Sequence, residues 1–306
     1  MNATSAPELA NFLSEEGARV EEALERVVQR LEADDGALPD DVLGALRHGV
    51  TTGGKRLRPI LCVAAFNACG GRASDALYDL AASLELIHAY SLMHDDLPCM
   101  DDAELRRGLP TTHREHGEAA TVVGGAALIP VAAEQALLAS RALGAEESRA
   151  RSVCALLLEA AGAAGMVGGQ WLDLMGEGRS LTAEELDGLH RRKTGALLAA
   201  ALLMGATAAG AEAERIEGLG RYGRAIGLAF QIADDILDAT ASAEELGKNP
   251  SDEELDKATY VSLYGLEEAR RRARSEVDRS LEALSSAGID APILVALARF
   301  VVERGK

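Results

Sequence analysis

Two acidic clusters are the residues of this chain best suited to chemistry. Asp95-Asp96-Leu97-Pro98-Cys99-Met100-Asp101-Asp102 and Asp234-Asp235-Ile236-Leu237-Asp238 lie about 140 residues apart, each at the end of a long apolar stretch. An ionised carboxylate removed from water without a partner is strongly disfavoured. Divalent cations offset that cost, and hard oxygen donors suit Mg²⁺. Asp234 and Asp238 are one helical turn apart on one face. With Asp235 beside them, three carboxylates are expected to converge on one or two cations. Asp95 and Asp101 share no helical face. Pro98 should end the first helix near Leu97, letting a short loop carry Asp101 back to the helix end. A lone Asp pair is most often a solvated helix end. Here both pairs follow apolar runs, 84–93 and 225–233, which favours a buried metal cage.

Basic and polar residues flank these clusters. Gly53-Gly54-Lys55-Arg56-Leu57-Arg58-Pro59 sets three cations behind a glycine pair, with Pro59 suited to a first helical turn. Freed backbone amides and cationic donors make an anion site. Arg106-Arg107-Gly108 follows the first acidic loop, where the plainer role is to neutralise the aspartates. His88 lies two turns before Asp95 on the same face; an isolated histidine there is more often a core residue. Lys193-Thr194-Gly195 opens an Ala-rich segment, where the plainer role is an ordinary helix-boundary lysine. Gln231 sits on the same side of its helix as Asp234, and Gln170 shares a face with Asp173.

The elements that must hold these groups read as helical throughout. Ala, Leu and Glu dominate, and alternating strand patterns are missing. Thr112-x-x-Glu115 and Thr182-x-x-Glu185 have capping-box spacing. Breaks fall at 34–39, 70–71, 107–110, 176–180 and 247–252, leaving roughly ten or more helices with ordinary connections. No linker or repeat divides the chain, so residues 1–306 are expected to form one all-α domain.

Composition excludes other classes. The formal charge of −18 and 3% aromatic content argue against a nucleic-acid partner. Cys62, Cys69, Cys99 and Cys154 have no metal-ligand spacing, and four thiols fit a reducing cytoplasm better than a disulfide framework. The N-terminal residues lack the apolar core of a signal peptide. The longest apolar run, 196–211, is too short and interrupted for a membrane span, so stable membrane insertion is not expected.

Taken together, G-G-K-R-L-R-P (53–59), D-D-L-P-C-M-D-D (95–102) followed by L-R-R-G, P-T-T-H (110–113), G-G-Q-W-L-D-L (168–174), K-T-G (193–195) and F-Q-I-A-D-D-I-L-D (230–238) followed by G-K resemble a known family. It is the trans-isoprenyl diphosphate synthases, close to the short-chain bacterial farnesyl diphosphate synthases. The resemblance runs from Gly53 to the C-terminus. It implies an all-α helical bundle of the isoprenoid synthase type with a central active-site cavity, in a cytoplasmic homodimer. It also implies head-to-tail condensation of isopentenyl diphosphate with dimethylallyl and geranyl diphosphates. About three Mg²⁺, replaceable by Mn²⁺, would be held by Asp95, Asp96, Asp101, Asp234, Asp235 and Asp238, with Asp252 completing one shell through water.

Carried over by position, Arg106 and Lys193 would hold the allylic diphosphate, with Lys248 and Lys257 closing over it. Lys55, Arg58, His88 and Arg107 would hold isopentenyl diphosphate, and Thr194 and Gln231 would face the nascent carbocation. Tyr90 and Ser91, one turn or so before Asp95, would set the chain-length floor. An aromatic Tyr90 favours a fifteen-carbon product, whereas Cys99 and Ala126 are similar to some geranylgeranyl synthases. The chain departs from the family pattern at Ala126, where Asp is common, at Ala103, near which a further acidic residue is common, and in the loop after Lys248, which lacks a second lysine. Two rival readings are a terpene cyclase, which would have no use for Lys55, Arg58 and Arg107, and a non-catalytic subunit, whose acidic motifs would be eroded.

Overall fold

The first helix starts where its cap is encoded. Glu8 accepts from the Ser5 backbone N–H at 2.7 Å, and the Ser5 hydroxyl accepts in return from Glu8 N–H, so α1 (Ala6–Ala33) begins with two satisfied amides. The computed structural model describes residues 4–34, 38–240 and 258–303. Lys248, Asp252, Lys257 and the 247–252 break lie outside the described residues.

The helices that follow are α2 (Asp40–Thr51), α3 (Leu57–Ala68), α4 (Asp75–Asp95), α5 (Thr112–His116), α6 (Glu118–Ala142), α7 (Glu147–Ala161) and α8 (Met166–Gly176). Then come α9 (Ala183–His190), α10 (Ala196–Ala208), α11 (Ala213–Thr240), α12 (Tyr260–Tyr264), α13 (Leu266–Ser286) and α14 (Pro292–Glu303). The all-α expectation holds. Its one exception among the described residues is a two-stranded hairpin, β1 (Leu105–Arg106) against β2 (Leu109–Pro110). Strands of two residues are too short to show periodicity. The hairpin turn, Arg107-Gly108, has φ of 56° and 78° at its two central residues. Positive φ at both positions marks a type I′ turn, which glycine favours.

Packing follows from which faces are apolar. α4 buries residues on all sides, from Leu77 to Met93, as does α10; both are core helices. α4 lies against α6 and α3, and α10 lies against α3, α11 and α7. α13 covers α11, while α14 closes on α1, α3, α11 and α13. A second, smaller apolar cluster joins Leu186 and Leu189 of α9 to Leu228 and Ile232 of α11, Tyr260 of α12 and Ala269 of α13.

α4 ends at Asp95 with Asp96 as its C-cap, beside the end expected near Leu97. Two other local expectations are revised. Thr112 does not cap a helix; Thr111 precedes α5, and its hydroxyl donates to Ala103 O at 2.8 Å instead. Lys193-Thr194-Gly195 is not a boundary, because Arg191–Gly195 form a π-helical turn continuous with α9 and α10. Two stretches, Glu118–Ala142 and Glu147–Gly176, have the length and hydropathy of a membrane span. The second is broken into α7 and α8 between Ala161 and Met166, and 39% of each apolar window is buried inside the fold.

Candidate active site

The first acidic cluster sits on the C-terminal end of α4. The loop after Pro98 returns as expected: Asp101 N–H donates to Asp95 O at 2.9 Å, and Ala103 N–H to Asp96 O at 3.2 Å. Carboxylates at a helix C-terminus oppose the macrodipole, so this end concentrates negative charge. Burial pushes Asp95 up to about 6, with Lys193 and Arg106 opposing that rise and Asp101 and Asp96 adding to it. Asp96 is buried and accepts from Arg106 Nε at 2.8 and 2.9 Å. The second cluster lies in the last turns of α11, also near a helix C-terminus.

Among the described residues, no three Asp, Glu, His or Cys side chains form a ready metal shell. Asp235 is buried and turned inward, accepting from Tyr260 N–H at 2.8 Å and Gln231 Nε2 at 3.3 Å. An all-oxygen, incomplete donor set still suits Mg²⁺, which is usually bound by one or two carboxylates together with substrate phosphates.

The hairpin explains how two adjacent arginines serve different neighbourhoods. Arg106 is on β1 and clasps Asp96. Arg107, in the turn, donates from Nη1 to Thr52 O at 3.0 Å and to Gly53 O. Its guanidinium lies over Gly54, where a Cβ would stand 2.7 Å from Nη1; Gly54 is what permits this approach. Arg107 thus joins the turn carrying Lys55, which is exposed, and Arg58. Arg58 is half-buried, and its Nε is enclosed without a hydrogen bond. Burial lowers the Arg58 pKa, which Glu85 and Asp234 raise and Arg107 lowers further. These couplings tie the basic turn to α4 and to the second acidic cluster. Burial, and then Arg58, Arg107, Arg106 and Arg56, hold His88 well below the usual histidine range, which favours the neutral imidazole.

The π turn places the third group. Lys193 Nζ is bonded to Asp173 of α8, and Thr194 Oγ1 donates to Gln231 Oε1 at 3.0 Å. From Thr194 the hydrogen bonds run on through Gln231 and Asp235 to Tyr260. Two glycines let neighbours press on this turn. A Cβ on Gly169 would lie 2.2 Å from Lys193 N, and one on Gly227 would lie 2.9 Å from Gly195 Cα. Such π turns recur at functional sites. Gln170 is buried with both side-chain polar atoms unbonded. Tyr90 packs edge-on against His94 at 5.1 Å between ring centres, and Ser91 Oγ donates to His88 O at 2.9 Å.

Sequence reasoning passed over Glu85 and Tyr260, and counted Arg56 only as one of three cations behind the glycine pair. Glu85 had a readable signal, a charged residue in an apolar run one turn before His88. Tyr260 had none, since its backbone amide makes the contact with Asp235.

A helical bundle with two acidic helix ends and separate basic groups is the site of a diphosphate-handling protein. The polyprenyl synthetase family model matches residues 40–290. The chain is 44% identical to farnesyl diphosphate synthase of Escherichia coli K12 over 271 residues, covering 87% of this chain and 90% of that protein. It is 44% identical to geranylgeranyl pyrophosphate synthase 11 of Arabidopsis thaliana over 271 residues, with 87% and 75% covered. A geranyltransferase structure from Legionella pneumophila superposes with a TM-score of 0.82 at 30% identity, covering 97% of this chain and 96% of that one. This chain belongs to the polyprenyl synthetase family.

Proposed function

We propose that this chain is a short-chain trans-prenyltransferase that condenses isopentenyl diphosphate with dimethylallyl and then geranyl diphosphate to give farnesyl diphosphate. The observation that carries the reading is the division of the cations. Arg106 clasps Asp96 of the first acidic cluster, with Lys193 coupled to Asp95, while Arg107 bonds the carbonyls of Thr52 and Gly53, in the turn that leads to Lys55 and Arg58. Two basic groups fit two diphosphates; a cyclase has only one to bind.

Asp95, Asp101, Asp234 and Asp238 would hold about three Mg²⁺, with Asp252 contributing through water. Mg²⁺, when bound, supplies electrostatic stabilisation of the departing diphosphate. Arg106 and Lys193 would hold that leaving group, and Lys248 and Lys257 would close over it. Asp96 and Asp235 would act chiefly by orienting Arg106 and Gln231. Lys55, Arg58, Arg107 and neutral His88 would hold isopentenyl diphosphate so that its double bond faces the allylic carbon. Thr194 would turn an oxygen dipole toward the cation that forms there, with Gln231 behind it. Apolar helix faces keep water from that cation. The released diphosphate would take the final proton. Residues 1–306 would act as one unit, paired with a second copy. Exposed apolar residues on α6, α7 and α8, among them Val123, Leu138, Leu158 and Trp171, support pairing of two copies.

The test is product analysis after incubation with Mg²⁺, isopentenyl diphosphate and each allylic diphosphate. A fifteen-carbon product is expected; a cyclic hydrocarbon, or no condensation, would contradict the reading. The second reading is a twenty-carbon product, favoured by the likeness to the Arabidopsis protein. Tyr90 decides between them. Room for five more carbons would favour binding by about 4 kcal/mol at roughly 0.8 per carbon, so a floor must oppose it. Tyr90→Ala should shift product toward geranylgeranyl diphosphate. An unchanged distribution in a folded, active variant would place the floor elsewhere.

A further inference from the structure

Arg56 takes no part in the chemistry above, yet it is tied to three helices. It is 4% exposed and holds a left-handed backbone, φ 46° and ψ 32°, which side-chain-bearing residues rarely adopt. Its Nε donates to Glu21 Oε1 at 2.6 Å and its Nη2 to Glu21 Oε2 at 3.1 Å, fastening it to α1. Nη2 also donates to Val50 O of α2 at 3.0 Å, and Nη1 to Glu85 Oε1 of α4 at 2.6 Å. Its own carbonyl accepts from Ile60 N–H at 3.1 Å and so begins α3.

The place of this clasp matters more than its strength. A buried ion network adds little net stability compared with apolar packing, so stability alone is a weak reason for it. Arg56 stands between Lys55 and Arg58, and its partner Glu85 lies one turn before His88 on α4. The Glu85 charge also favours the charged forms of Arg58 and Arg107. Without such a counter-charge, three arginines gathered around one anion site would repel each other before any anion arrived.

We propose that Arg56, clasped by Glu21 and Glu85, is a positioning residue for isopentenyl diphosphate. It fixes the turn so that Lys55 and Arg58 face His88 and Arg107, and it acts through them without touching substrate. The proposal rests on the assignment of those four residues to that substrate.

The experiment measures KM for isopentenyl diphosphate and for geranyl diphosphate separately, with kcat and Tm, in Arg56→Gln, Arg56→Lys and Glu21→Gln. Lys55→Ala and Arg58→Ala serve as controls. Losing a charge-assisted clasp should raise KM for isopentenyl diphosphate about 10- to 100-fold in Arg56→Gln, with KM for geranyl diphosphate within about twofold. Arg56→Lys should recover part of the loss. Glu21→Gln, at a partly exposed side chain, should shift the same KM less and stands in if Arg56→Gln does not fold. Parallel rises in both KM values, tracking a fall in Tm, would reduce Arg56 to a structural role and overturn the proposal. So would an unchanged KM for isopentenyl diphosphate in the Arg56 and Glu21 variants when both controls raise it. If the controls also leave that KM unchanged, the substrate assignment itself fails and the positioning role falls with it.

Discussion

Asp95 is caught between folding and function. Its carboxyl is buried at a helix end, which raises it from 3.8 to about 6. The folded, metal-free protein therefore binds a proton there more readily than the unfolded chain does. The resulting penalty is absent below about pH 4, grows up to about pH 6 and stays constant above it. Asp95→Asn should accordingly raise the Tm of metal-free protein at pH 7.5 by roughly 2–5 °C. The gain should disappear at pH 4, and calorimetry at the two pH values checks it. An equal or lower Tm for the variant at pH 7.5 would contradict the account. At this scale the sequence was informative wherever a titratable residue stood in or beside an apolar run, as with Asp95, Asp234 and His88. It offered Arg106 and Arg107 as neutralisers of the aspartates without saying which pairs form. That Asp96 belongs to Arg106 and Asp235 to the Tyr260 amide depends on side-chain direction and on a contact across 25 residues, neither of which spacing encodes.

Among the elements, the long helices were legible because their apolar faces repeat, and the Thr182 cap was legible because its partner is local. The hairpin and the π turn were not. One is too short for periodicity, and the other is a single extra residue per turn imposed by packing against Gly169 and Gly227. Yet these two irregular pieces place Arg106, Arg107, Lys193 and Thr194. The hairpin makes a direct prediction, because it sends two consecutive arginines to different neighbours. Arg107→Ala should chiefly raise KM for isopentenyl diphosphate, and Arg106→Ala should chiefly impair use of the allylic substrate. Each loses a charge-assisted hydrogen bond, an effect of about 10- to 100-fold. Steady-state kinetics with each substrate varied in turn decides it, and a rise confined to the same substrate in both variants would refute the division.

For the whole molecule, two surfaces matter. The apolar face of α6 to α8 leaves Trp171 61% exposed and Val123, Leu138 and Leu158 also open to solvent. Exposed large apolar residues on three successive helices support an interaction surface there. Leu138→Glu should reduce the mass measured by light scattering from that of a dimer to that of a monomer, and an unchanged mass would remove this face from the interface. The other is the pair of acidic helix ends, on α4 and α11, in a chain of net charge −18 that, on the proposed reading, binds anionic substrates. On the proposed reading, metal held by both aspartate clusters reverses the local sign. Unit charges 4 Å apart interact by about 4 kcal/mol at an effective dielectric near 20, so one lost ligand should cost several powers of ten in rate. The most direct test is the steady-state condensation rate of Asp234→Ala beside the unaltered protein across a Mg²⁺ titration. The account predicts a rate lower by about a thousandfold or more at every Mg²⁺ concentration, in a protein whose Tm is not lowered. Near-normal turnover with an unchanged Mg²⁺ dependence would contradict it.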